Sequence, residues 1–278
     1  WQQARPWARA IKARVSEHSM PPFQIDRTVG ITKFKNDDAL NPAELDTIVK
    51  WVDAGAPQGD PKDMPPKIEW PTEQTWNFAK TLGKQPDIVV KSHDFTMPAV
   101  SQDAWDKRVT PLELDEPRWV RAIEIRPGNL KGRKVVHHAI AYLEQSEGAP
   151  TEQGLAALFM EWAVGKQGEM MRPDTGKLLM PGARFRWDIH YSQAGEEITT
   201  NAEMGIYFYP KGQEPKYRTR LSFVPAAVGN LDLRPNQVTV TEGFMPLREN
   251  ARIESYQPHM HLRGKAMMVE AILPTGQR

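Results

Sequence analysis

Residues 117–143 read PRWVRAIEIRPGNLKGRKVVHHAIAYL. Two segments in it, 117–126 and 133–143, alternate at period two and are joined by a stretch rich in turn-forming residues. Such alternation marks strands with one face buried. The same pattern recurs at 85–91, 183–192, 202–209, 219–224, 237–244, 251–257 and 265–273. Gly, Pro, Asn and Asp separate most of these segments. Many short strands without strong intervening helices predict a mainly β protein, a β-sandwich or jelly roll. The stretch 151–170 reads as a short helix or, given its glycines, an ordered loop.

Upstream the character differs. Ala4, Trp7, Ala8, Ile11 and Val15 recur at helical spacing and predict a helix over 3–17 with one buried face. A second helix opens on Asn41 as N-cap, Pro42 at its first position and Glu44 completing a capping box. Leu45, Ile48, Val49 and Val52 form its stripe, and Gly55 ends it. The proline-rich run 56–72 reads as an extended linker. No repeat of 20–50 residues interrupts this order.

Composition bounds the chemistry. With 36 basic and 35 acidic side chains the formal charge is +1, which argues against a nucleic-acid partner. No apolar run is long enough to span a membrane. The absence of cysteine excludes disulfides, thiolate metal sites, a cysteine nucleophile and covalent haem attachment within these residues. Histidine is left as the main metal or acid–base candidate. The chain opens on Trp1 and stops just after a turn at Pro274-Thr275-Gly276, so both ends read as cut.

Three histidine features fall on expected strands: the doublet His137-His138, His190, and the pair His259/His261. Residues i and i+2 share a strand face, so His259 and His261 can converge on one ion. Adjacent residues face opposite ways, so His137 and His138 can share an ion only if a bulge or twist turns one of them. His190 shares a face with Arg186, Asp188 and Ser192, opposite the apolar Phe185, Trp187, Ile189 and Tyr191. Imidazole ligation suits copper, zinc, iron or nickel. His18 and His93 read as ordinary imidazoles, and Lys131, Arg133 and Lys134 as a solvated turn.

VVHHAIAYL (135–143), FRWDIHYS (185–192) and PHMHLRG (258–264) occur in the order and spacing of the copper type II, ascorbate-dependent monooxygenases. The chain resembles that family, defined by peptidylglycine α-hydroxylating monooxygenase and dopamine β-monooxygenase, over residues 76–278. The resemblance implies tandem jelly-roll β-sandwich domains: a first over 76–217, and the start of a truncated second over 218–278. It implies that His137, His138 and His190 hold an electron-transfer copper. It implies that His259 and His261, the catalytic pair, hold an oxygen-activating copper whose third ligand, a methionine, lies outside the chain. The implied activity is hydroxylation of an activated C–H bond with dioxygen, on an unknown small-molecule or peptide substrate, in a periplasmic or extracellular setting. The chain alone would then be inactive.

RPWARAIK (5–12), MPPF (20–23) and LNPAELDTIVKWVDAGAPQGDP (40–61) resemble the C-terminal half of a cytochrome c domain, over 1–60, with a Pro-rich linker at 61–75. That resemblance implies Met20 as a haem axial ligand in an intact parent, with haem c or ascorbate as electron donor. Three other readings stay open: a non-catalytic copper-binding or electron-transfer protein on the same fold, a zinc or iron site where all histidines converge on one metal, and a carbohydrate-binding sandwich. Against the last, Trp7, Trp51 and Trp187 fall on or beside expected buried faces, and most tryptophans read as core.

Overall fold

The computed structural model describes residues 1–278 except 23–24, 27, 32, 35–36, 68–74, 147–157, 167, 223, 225–230 and 261. The chain divides into two compact units, residues 1–70 and 71–278.

The first unit is helical. A 3-10 turn at Arg5–Trp7 leads into α1 (Ala8–Ser16), and α2 (Pro42–Asp53) packs against it. The Asn41 side chain accepts from the Ala43 and Glu44 amides, while Glu44 reaches back to the Asn41 amide. This capping box satisfies donors that a helix start otherwise leaves without partners. Leu45, Ile48, Val49 and Val52 are half-buried, as their spacing requires. Gly55 takes the left-handed conformation, with φ 85°. Two members of the expected stripe fail it: Ala4 is exposed and Trp7 is 67% exposed, although Ala8 and Val15 are buried. The tighter winding of the 3-10 turn rotates Trp7 off the stripe that an unbroken α-helix would have extended.

The second unit is mainly β. Its described elements begin with α3 (Asn77–Leu82), β1 (Ile88–Lys91), β2 (Phe95–Met97), β3 (Ala104–Asp106), β4 (Val109–Pro111), β5 (Arg118–Pro127) and β6 (Val136–Glu144). They continue with β7 (Leu158–Ala163), β8 (Glu169–Met170), β9 (Thr175–Leu179), β10 (Arg184–Tyr191), β11 (Ile198–Thr200), β12 (Ala202–Phe208) and β13 (Tyr217–Arg218). One sheet runs β1-β12-β5-β9-β13, with β8 also on β5. The other runs β3-β10-β6-β7, with β4 also on β10. Neighbours are antiparallel except β9 and β13. A short β2–β11 ladder stands beside them.

Both sheets contribute to one core. Val120, Ile123 and Ile125 of β5 and Met204 and Ile206 of β12 join Phe185, Trp187 and Ile189 of β10 and Ala139 and Ala141 of β6. This is the arrangement of a sandwich, in which each sheet buries one face against the other. On β10 the odd-numbered residues 185–191 are buried and the even-numbered 186–190 half-buried, so the expected alternation is met. Glu124 of β5, only 2% exposed, fixes α3 to its sheet. Its carboxylate accepts from the Asn77 and Phe78 amides and from the Tyr207 hydroxyl. Trp76 offers no capping side chain, so this distant glutamate does that work. Trp76 itself lies over Gly205, where a Cβ would stand 2.8 Å from the indole.

The stretch 151–170 differs from expectation. Residues 151–157 and 167 lie outside the described set, but 158–163 form β7 instead of helix or loop. Phe159, Met160 and Trp162 are buried in the core, and sheet burial outweighs local propensity. The glycines serve the turn that follows: Gly165 and Gly168 have φ 97° and 140°.

The strands expected at 219–224, 237–244, 251–257 and 265–273 are absent among the described residues, and position 223 lies outside them. The short β13 immediately precedes this region. Val238, Val240, Phe244, Ile253, Met268 and Ile272 are all exposed. Period-two alternation forms a strand only where a neighbour takes up the backbone hydrogen bonds and a facing layer buries the apolar side. No described element does either here.

Lys177 of β9 is buried beside Glu169, Nζ to Oε2 2.9 Å, over the Phe159 ring, and donates to the Phe159 carbonyl. Burial alone would raise the Glu169 carboxyl, but the Lys177 and Lys166 charges reverse this and hold it below its ordinary value. A carboxyl so lowered stabilises the fold above its unfolded value, near pH 4.3, and that contribution is lost as pH falls through the folded value. Glu169→Gln should cost about 2 kcal/mol, below the full penalty for breaking a buried pair because Glu169 keeps some solvent contact. Adding Lys177→Met should recover most of it. Urea unfolding of the three proteins checks this; equal stabilities would refute it.

Candidate metal centre

The three histidines of the first two motifs meet on the outer face of the second sheet. His190 pairs with His138 across β10 and β6, but the next partners are Tyr191 and Val136. One residue of β10 therefore faces two of β6, and His137 is the extra one. This β-bulge supplies the turn that adjacent residues need to share a face. The His137 and His138 Nδ1 atoms lie 3.2 Å apart. Their rings stand 4.9 Å from the His190 ring, centroid to centroid. One ring nitrogen from each of the three lies within 4.8 Å of the others.

The 3.2 Å separation fits two ligands on one ion, with a His190 nitrogen close enough to join them. Metal–imidazole bonds of about 2.0–2.1 Å at bond angles of 90–110° put neighbouring nitrogens about 2.9–3.4 Å apart. Burial first, then the His190 and His137 rings, lower His138 below its ordinary value. At neutral pH that ring keeps the lone pair a metal needs. His137 is exposed and the other two half-buried, which leaves an open side. Three imidazole nitrogens with an open position suit a late first-row metal without choosing among them.

Two further residues serve His190. Its Nε2 lies 2.8 Å from the Asp103 carboxylate, and the His190 hydrogen bond holds Asp103 below the usual carboxylate range. Trp105 stacks flat on the imidazole, centroids 4.5 Å apart and planes 2° from parallel. Trp105 pairs with His190 in the ladder, and Asp103 stands two residues before it. Nothing in QDAWDKR singles these residues out; the only local signal is that i and i+2 share a strand face. Trp105 is 54% exposed, whereas Trp76, Trp162 and Trp187 are buried, in line with a core role for those three.

The remaining site candidates stand apart. His259 is exposed in an irregular segment and does not join the cluster; His261 lies outside the described residues. That segment does touch the sheeted part of its own unit: Gln257 donates to Glu161 of β7, and Glu254 lies 3.5 Å from Arg172. Glu161 in turn acts electrostatically on His138. Met20 is 50% exposed just beyond α1. Among the described residues no helix is long and apolar enough to cross a membrane. Comparison with protein-family models, with curated proteins and with solved structures finds no match to this chain.

Proposed function

We propose that residues 76–217 form the electron-transfer copper domain of a copper-dependent monooxygenase, and that residues 218–278 begin its oxygen-activating partner. The observation that carries this reading is the bulged His137-His138 doublet meeting His190 on one sheet face. The two sheets sharing a core support a sandwich, and the proposal makes it the first of a tandem jelly-roll pair. His259 standing outside the three-histidine cluster favours two sites over a single ion gathering every histidine.

Copper bound here would supply one-electron chemistry for hydroxylating an activated C–H bond with dioxygen. The chain's own residues do the rest. His137, His138 and His190 would hold the ion by neutral nitrogens, on strands fixed by the core beneath. The exposed edge at His137 leaves room for an electron donor, ascorbate or a haem c. His259 and His261 would supply two ligands to the second copper, with a thioether as the third. Met20 would ligate haem in a longer protein; the residue is half exposed. The setting would be extracytoplasmic.

A copper-binding or electron-transfer protein without oxygenase activity is the second reading. It is favoured by one observation: among the described residues only one cluster is assembled. Metal analysis after loading with copper separates the outcomes. The oxygenase reading expects copper at the cluster plus a further copper that His259→Ala/His261→Ala removes. Copper at the cluster alone, unchanged in that variant, supports the second reading. Stoichiometric zinc with no copper would sink both.

A further inference from the structure

We propose that Asp103 is a positioning residue for His190, fixing which ring nitrogen is left to bind metal. This rests on reading the three-histidine cluster as a metal site. At neutral pH the Asp103 carboxylate can only accept a hydrogen bond. The 2.8 Å contact therefore places the His190 proton on Nε2 and leaves Nδ1 as the lone-pair nitrogen. His137 and His138 approach each other through Nδ1 as well. Asp103 thus makes His190 present the same ring atom as its two neighbours.

The arrangement also restrains the ring in both its remaining freedoms. The hydrogen bond sets its rotation about the Cβ–Cγ bond, and the parallel Trp105 indole covers one face. A carboxylate behind a ligating imidazole raises the basicity of the nitrogen facing the ion and removes the entropy of choosing a tautomer. Asp103 does not itself enter the cluster of three. Its side chain is 47% exposed, so it can be changed without opening the core.

The test uses the whole chain, with Asp103→Ala and Asp103→Asn beside the wild type. Nitrogen-15 NMR of the metal-free proteins reads the His190 tautomer, and titration with copper(II) against a competing chelator reads affinity. The wild type should show the Nε2–H form. Asp103→Ala should mix the two tautomers and weaken copper(II) binding about 10–100-fold, the usual cost of losing such a partner. Asp103→Asn, whose amide oxygen still accepts from Nε2–H, should keep the tautomer and fall between the two in affinity. An Nδ1–H tautomer in the wild type, or an Asp103→Ala protein matching it in tautomer and affinity, overturns the proposal. If the wild type binds no copper, the metal reading fails, while the tautomer measurement still decides what Asp103 does to the ring.

Discussion

Replacing His138 with alanine is expected to abolish metal retention at the three-histidine cluster. The site is built from three imidazole nitrogens, and among the described residues no fourth His, Asp or Glu belongs to that cluster. Asp103 is tied to His190, and Asp188 lies toward Lys107, Oδ2 to Nζ 3.6 Å. Two ligands seldom hold a late first-row ion against competing buffer, so the loss should exceed the 100-fold that forms the upper end of outer-shell effects. His138 is half-buried beside the fully buried Ala139, so the variant should fold. Copper content after desalting, with circular dichroism to verify the fold, is the measurement. A variant that keeps stoichiometric copper would refute the cluster as the binding site.

The largest stability effect should come from Trp187→Ala. Trp187 is fully buried between Phe185 and Ile189 on the inner face of β10, and its indole N–H donates to Thr110 Oγ1 at 3.1 Å. Truncation loses the transfer energy of the ring and leaves a cavity, together about 3–5 kcal/mol. A domain of ordinary stability holds only about 5–15 kcal/mol. Urea unfolding should therefore show a midpoint well below that of the parent, and Trp187→Phe should retain more than half of the loss. A change under about 1 kcal/mol would place the indole outside the core.

How much of this was legible beforehand differs from part to part. The β10 alternation and the α2 cap depend on nearest neighbours in sequence, and both were readable. The bulge could be stated only as a condition, because adjacency at His137-His138 says that something must turn without saying what. Asp103 and Trp105 reach His190 through strand pairing over more than eighty positions, and no local pattern encodes that register. The strand at 158–163 was hidden by glycines that belong to the following turn. The alternation at 237–273 misled for the opposite reason. A period describes what a segment could bury, and burial needs a second surface that no described element provides.

The bulge at His137 has one more consequence. It separates the inheritance of the site from that of the scaffold. A sandwich strand that gains one residue at this point keeps its ladder on both sides and its inward pattern, since Val136 and Ala139 remain buried. The inserted residue turns a single outward imidazole into a pair. Deleting His137 is therefore expected to close the bulge and dismantle the cluster while β6 and β10 stay paired, which copper content beside circular dichroism would check. The histidines sit on the outward side of the strand, apart from the buried residues that hold the sheets together.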